Sequence, residues 1–329
     1  MRTKSVACAA LSLASLAHMG YNTSNADHLP VSNFLHLKGG ISMKIKRVLA
    51  IHDLCSFGRC SLTAAIPVLS AMGHQVCPFP TALYSNNLTY GKFISRDLTD
   101  LMAGYRDQWK ELGLSFDAVY SGFLAGPDQV EQVIAAIEEF AGEDRIAVVD
   151  PAMGDDGKLY PVFDGAMVEA MKKLVAHATL ITPNYTEACL LTDTPCKAGA
   201  PTDDELEALC DKLLALGPKQ VVITSVPCDE DHLKIVSYEA NQLFPEAYEV
   251  KKLPFATCGT GDVFTSTLLG YVLNGKDLNR CVQEAADFVS YVIDTTIKAG
   301  TDPKEGVVLE GCLWKLLFPQ SKNCTTCMA

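Results

Sequence analysis

Positive charge is what this sequence has least of. Lysine and arginine together number 27 against 39 aspartates and glutamates, a net charge of −12. That balance argues against nucleic acid or an anionic membrane as the main partner. Beyond the amino-terminal stretch there is no run of about 18 consecutive apolar residues, so no membrane span is expected. Several phosphate and catalytic signatures are missing too. No GxxxxGK[ST] occurs, no GxGxxG follows the first strand, and no GxSxG elbow is present. P-loop, dinucleotide-binding and hydrolase-elbow readings therefore drop out. The histidines stand alone, and the one close Cys pair, Cys324 and Cys327, has no second pair to complete a zinc site.

What is present is an ordinary globular composition, 48% hydrophobic and 20% charged. Thirteen cysteines is a high, odd count, and many sit singly in apolar runs, as Cys77, Cys189, Cys210 and Cys281 do. There they act as small hydrophobes, which implies a reducing compartment, a cytoplasmic location and no structural disulfides. Residues 1–42 differ from the rest. Arg2 and Lys4 precede the small apolar run Val6 to Ala17, which has the look of a secretory signal. The competing reading is an upstream extension of the frame, with the folded protein beginning at Met43. The cysteine usage favours the second. A disordered extension over 1–42, a single domain over 43–319 and a short tail over 320–329 are expected.

Within that domain, strand-like runs alternate with helical ones. Strands are predicted at Arg47–His52, Gln75–Phe79, Asp117–Ser121, Arg145–Asp150, Thr179–Thr182 and Gln220–Thr224. Helices are predicted at 61–72, 97–112, 127–140, 165–176 and 202–216, the last opened by the capping box Thr202-Asp203-Asp204-Glu205. Two more strand-like runs, Lys234–Tyr238 and Tyr248–Leu253, suit an antiparallel pair, and helices are expected at 261–273, 278–296 and 307–318. The alternation implies a doubly wound α/β fold with a mostly parallel sheet covered on both faces. Ligands in such sheets bind beyond the carboxyl ends of the strands. The polar residues there are His52 and Asp53, Ser121 and Phe123, Asp150, Thr182, Asn184 and Glu187, then Thr224 and Ser225.

The chemistry is expected at Cys258-Gly259-Thr260-Gly261-Asp262. A glycine turn opening a helix aims N–H groups and the positive end of the helix dipole at one point, a place for phosphate. An aspartate in the first helical turn could take a proton from an attacking hydroxyl. Its bland reading is a favourable charge on the helix dipole. The same dipole is expected to lower the pKa of Asp262. Asp150 and Glu187, with Asp155 close behind, are carboxylates of the kind that hold magnesium on a nucleotide. Two readings stand for Glu187, because Asn184-x-x-Glu187 also fits a capping box.

Three segments, Gly259-Thr260-Gly261-Asp262, Asp150-Pro151-x-Met153-Gly154-Asp155 and Thr182-Pro183-Asn184-x-x-Glu187, occur in the order and spacing of the ribokinase-like small-molecule kinases. Ala50-Ile51-His52-Asp53 with Phe57-Gly58, and Ser85-Asn86-x-x-x-Tyr90-Gly91-Lys92, resemble the pyridoxal and pyridoxamine kinase branch. The resemblance implies a three-layer α/β/α fold and a homodimer that phosphorylates the 5′-hydroxymethyl group of a B6 vitamer. MgATP would be the donor, with potassium the usual monovalent cation. It makes Asp262 the catalytic base and Gly259, Thr260 and Gly261 the anion hole. Asp150, Asp155, Asn184 and Glu187 would lie around magnesium and phosphate, with Asp150 and Glu187 on the metal. Thr182, Thr224 and Ser225 would lie near the nucleotide and monovalent cation, and Asp53, Thr81, Tyr84 and Phe123 would line the vitamin pocket. Many pyridoxal kinases carry serine where this chain has Asp53, which would favour a cationic vitamer such as pyridoxamine. Hydroxymethylpyrimidine phosphorylation is the nearest alternative, and a vitamer-binding regulator without catalysis is the reading from another class.

Overall fold

Short runs buried on both faces are the mark of strands in a covered parallel sheet. The computed structural model describes residues 45–141, 145–197 and 199–317, and it lays these runs side by side. Strand β1 (Arg47–Cys55) lies between β2 (Gln75–Tyr84) and β4 (Ala118–Ser121), and β5 (Ile146–Val149), β8 (Leu180–Ile181) and β9 (Gln220–Pro227) continue the parallel array beyond β4. Antiparallel strands complete the nine-stranded sheet at both edges. They are β3 (Ser95–Asp97) beside β2, and β10 (His232–Glu239) and β11 (Glu246–Lys251) beyond β9. The expected pairing of the last two strands is therefore present.

Alternation along each strand decides which helices it meets. In β1, Leu49 and Ile51 face one way and Val48 the other, and β4 (Val119 against Ala118 and Tyr120) and β5 (Ala147 and Val149 against Val148) repeat the pattern. One face packs on α2 (Thr99–Glu111), α3 (Pro127–Phe140), α4 (Gly165–Val175), α5 (Tyr185–Leu191) and α6 (Asp203–Ala215). The other packs on α1 (Leu62–Ala71), α7 (Thr260–Leu273) and α8 (Leu278–Ala299). Each large apolar side chain so buried contributes about 1.5–3 kcal/mol, so the two interfaces hold the three layers together.

Three local expectations are corrected. Strand β2 runs to Tyr84, through a segment expected to be loop, despite Pro78 and Pro80. Among the described residues its outer edge is unpaired until Ala82 meets β3, so the missing N–H groups break no ladder there. Strand β1 likewise continues to Cys55 across an irregularity at Asp53. The helix expected over 307–318 is not continuous: only α9 (Trp314–Leu317) forms. Gly311 and the β-branched pair Val307-Val308 disfavour the first turns, and the Val308 N–H is taken by the Thr296 hydroxyl at 2.9 Å. A hairpin absent from the sequence reading, β6 (Gly154–Asp155) with β7 (Lys158–Leu159), follows β5. The boundaries expected around residues 1–42 and 320–329 lie outside the described residues. No helix among the described residues is long and apolar enough to cross a membrane.

One buried amide ties the loops at the carboxyl ends of the strands. The Gln129 side chain on α3 is fully buried; its Oε1 accepts the Ala125 N–H at 2.8 Å, and its Nε2 donates to Thr81 O at 2.9 Å and Thr99 Oγ1 at 3.0 Å. Replacing it with leucine keeps the volume and strands those partners without water. Gln129→Leu is expected to lower the unfolding free energy by about 2–3 kcal/mol, read from urea denaturation at unchanged slope.

Candidate active site

The glycine turn sits where β1 and α7 meet. Gly259 adopts φ +87, and a Cβ there would overlap the Arg59 carbonyl oxygen, so only glycine fits. From Thr260 the chain is helical, and the first N–H groups of α7 have no partner within the helix. Beside them Gly261 leaves room for Asp150: a Cβ on Gly261 would lie 3.7 Å from Asp150 Oδ2. The strand ends thus place a carboxylate directly against the opening of α7.

Asp262, in that first turn, is held from across the molecule. Its Oδ2 accepts the Ser61 backbone N–H at 2.8 Å, where Ser61 takes an uncommon left-handed φ of +52 at the start of α1. Burial raises the Asp262 carboxyl from 3.8 to about 6, against the pull of that N–H. This corrects the expectation that the helix dipole would depress it, because losing water costs the charged form more than the dipole returns. His52 Nδ1 lies 3.7 Å from Asp262 Oδ1. Burial drives the imidazole down to about 3, so it is neutral and the pair is not an ion pair.

Around Asp262 the structure gathers most of the expected acids. Burial first, then the charges of Glu187 and Asp262, raise the Asp150 carboxyl well above the carboxylate range. The Thr265 hydroxyl beside it pulls the other way. Thr182 Oγ1 lies 2.9 Å from Thr265 Oγ1, a contact in which either hydroxyl can donate. Burial lifts Glu187 to about 8 although backbone N–H groups donate to it. Its two readings meet here. Asn184 and Glu187 form the capping box of α5, and the other Glu187 oxygen accepts the Met153 N–H at 3.0 Å. The Asn184 amide also donates to Gly154 O at 2.8 Å, so both side chains hold the turn after β5.

The expected pocket residues are less uniformly placed. Asp53 is 5% exposed, with Oδ1 unpartnered; burial, and then the Asp262 charge, lift it to about 7 against a Ser61 side-chain hydrogen bond. Tyr84 feels the Asp53 charge and packs edge-on against Phe93. Thr81 is fully buried with its hydroxyl unpartnered. Phe123 packs at a tilt against Phe163, which also meets Tyr160, a phenol raised by burial and by the charges of Glu187, Asp155 and Asp150. Thr224 joins Asn184 through a backbone bridge. Asp155 is exposed on the β6–β7 hairpin, with its charge felt by Glu187 and Tyr160, and Ser225 is exposed with φ +56.

Ser61, Thr265, Tyr160 and Tyr120, which is buried edge-on against His52 with ring centroids 4.3 Å apart, were not singled out as site residues. Of these only Thr265 left a sequence signal: three residues after Asp262, it falls on the same helix face. The raised carboxyls carry a sign that can be measured. An acid with a higher pKa folded than unfolded holds its proton in the native state, so its ionisation destabilises the fold as pH rises. For Asp53 and Asp262 the window runs from about 4 to about 7. The ligand-free wild type is expected to lose melting temperature relative to Asp53→Asn across that window, by scanning calorimetry; parallel profiles would contradict the placement of Asp53.

Comparison with known proteins follows the same lines. The phosphomethylpyrimidine kinase family profile matches residues 62–307. A pyridoxal kinase of Arabidopsis thaliana is 30% identical over 272 residues, spanning 78% of this chain and 85% of the relative. Among solved structures, a candidate phosphomethylpyrimidine kinase of Bacteroides thetaiotaomicron, crystallised with pyridoxal, is 41% identical at a TM-score of 0.80, covering 83% of this chain and 96% of the other. A Leishmania donovani pyridoxal kinase in complex with ADP and pyridoxamine is 26% identical at a TM-score of 0.73, covering 82% and 95%. The family match over most of the chain and the identity to these kinases show that the chain belongs to the phosphomethylpyrimidine kinase family, on the ribokinase-like fold and among its pyridoxal kinases.

Proposed function

We propose that this chain transfers the γ-phosphoryl group of MgATP to the 5′-hydroxymethyl group of a B6 vitamer, and that Asp262 is its base. The observation that carries the reading is the position of Asp262. Its carboxylate stands in the first turn of α7, between the free N–H groups of the glycine turn and the buried Asp53. Relatives that bind ADP with pyridoxamine, or pyridoxal, support the choice of substrate.

The residues derive the chemistry as follows. With a pKa near 6, Asp262 is ionised at neutral pH yet basic enough to accept the substrate hydroxyl proton as its oxygen attacks phosphorus. The N–H groups of Thr260, Gly261 and Asp262, fixed before the substrate arrives, stabilise charge that develops on the transferring phosphoryl oxygens. Asp150, wedged between Gly261, Thr265 and the Glu187 charge, is the carboxylate best placed for magnesium. No three His, Cys, Asp or Glu side chains among the described residues converge as a metal site. A donor set with one buried carboxylate therefore fits an ion that takes its other ligands from phosphate and water. Glu187, whose oxygens face backbone donors, fits a role through water. Magnesium bound there would neutralise phosphate charge.

Asp53 carries the substrate preference. Buried, with one oxygen unpartnered, it gains most from a cationic partner such as the ammonium of pyridoxamine. The family's other chemistry, phosphorylation of hydroxymethylpyrimidine, is the second reading, favoured by the family profile itself. A coupled assay over pyridoxine, pyridoxal, pyridoxamine, hydroxymethylpyrimidine and ribose separates them, and B6 vitamers are expected to lead in kcat/KM. In the same assay Asp53→Ser is expected to cut the pyridoxamine-to-pyridoxal ratio about tenfold, roughly one charged hydrogen bond; an unchanged ratio removes the assignment. Asp262→Asn is expected to lower kcat by about a thousandfold while ATP still binds by calorimetry. Near-full turnover in that variant would reject Asp262 as the base.

A further inference from the structure

Three of the free cysteines meet beside the glycine turn, although they lie far apart in sequence. Cys55 ends β1, Cys60 precedes Ser61 at the start of α1, and Cys258 precedes Gly259. The backbones carrying the last two are in contact: a Cβ on Gly259 would overlap Arg59 O and lie 3.2 Å from Cys60 Cα. Cys60, 8% exposed, has its thiol in hydrogen-bonding reach of both Cys258 and Cys55. Cys258 is half-exposed and reaches solvent, whereas the buried Cys55 donates to Phe57 O at 3.4 Å.

We propose that Cys60 and Cys258 form a reversible dithiol–disulfide pair whose closure switches off the phosphoryl-transfer site beside them. The inference rests on the kinase reading for its effect on turnover, though not for the bond itself. The roles follow from placement. Cys258 is the accessible nucleophile, and the hydrogen bond from Cys60 draws its thiol below the ordinary range. Cys60, buried and donating, is the resolving thiol.

With a low-molecular-weight disulfide as oxidant, the Cys258 thiolate attacks one of its sulfurs, and the other half leaves as a thiolate. Cys60 then gives up its proton to that thiolate and attacks the Cys258 sulfur, displacing the second small thiol. Two protein thiols are oxidised by two electrons and one small disulfide is reduced to two thiols. The thiols must close from hydrogen-bonding separation to a bond of about 2.05 Å. One of the two backbones has to move. Cys60 leads into the N–H that holds Asp262, and Cys258 leads into the anion hole. A misplacement of about 1 Å at such a site can cost a hundredfold in rate.

The test incubates the full chain with oxidised glutathione, then follows kcat, intact mass and disulfide-mapped peptides, before and after dithiothreitol. Expected are a loss of two hydrogens, a Cys60–Cys258 cross-linked peptide, and a fall in kcat of at least tenfold that dithiothreitol reverses. Compared with its own reduced form, Cys258→Ser should lose that sensitivity, Cys60→Ser should stop at a glutathione mixed disulfide on Cys258 with no cross-link, and Cys55→Ser should keep the sensitivity. Absence of the cross-linked peptide, cross-linking without loss of turnover, or equal inhibition of Cys258→Ser overturns the switch. If the reduced protein turns over no vitamer, the kinase reading fails instead. Calorimetric ATP binding to the reduced and cross-linked forms then decides the switch, with equal binding overturning it.

Discussion

Four carboxylates, Asp53, Asp150, Glu187 and Asp262, are taken out of water close to one another, and among the described residues none is paired with a lysine or arginine. An uncompensated cluster of this kind is costly in a low dielectric, and protein dipoles and shared protons lower the cost. Glu187 takes N–H groups from Met153 and Asn184, Asp262 takes one from Ser61, and Asp150 has the Thr265 hydroxyl beside it. The turn after β5, the capping of α5 and the strained start of α1 all exist to supply those donors. Architecture and acid cluster are therefore one problem. The sheet brings five strand ends together, and the loops there are shaped by what the carboxylates require.

The same cluster explains how an acidic chain with few cations can handle a polyphosphate. Its site is short of positive charge until the phosphates arrive with their metal, and its fixed contribution is N–H dipoles, which cost nothing to reorganise. The substrate half obeys a related logic. Asp53 sits at an irregularity of β1, where the ladder with β2 slips between His52 and Leu54. That slip leaves Asp53 outside the regular register with β2. Serine at this point would hydrogen-bond a ligand; aspartate also reads its charge.

Much of this was legible in the sequence, and for identifiable reasons. The order of β1, β2, β4, β5, β8 and β9 followed from apolar runs of strand length between amphipathic helices, and the capping boxes at Thr202 and Asn184 stood in the letters. Asp262 and the glycine turn were visible because φ +87 at Gly259 admits no other residue. What stayed hidden depends on distance in the chain. Ser61 holds Asp262 with a backbone N–H, which any residue possesses. The direction of the Asp262 shift was misjudged because a sequence shows the helix dipole and not the depth of burial. The 307–318 segment has helical spacing of apolar residues, yet a glycine and two β-branched residues outweigh it. Ser225 is exposed at φ +56, a backbone conformation that the letters do not announce.

The hydrogen bond from Ser61 to Asp262 joins residues 201 apart. On a ribosome adding about 5–20 residues each second, the two are made about 10–40 s apart. Until α7 emerges, the part of α1 that packs on it is open, because Val263, Leu268 and Leu269 do not yet exist. Helix α1 is thus among the first elements made and among the last enclosed. A chain of this design is most vulnerable during its own synthesis, when the surface that will bind α7 is open to whatever else is nearby.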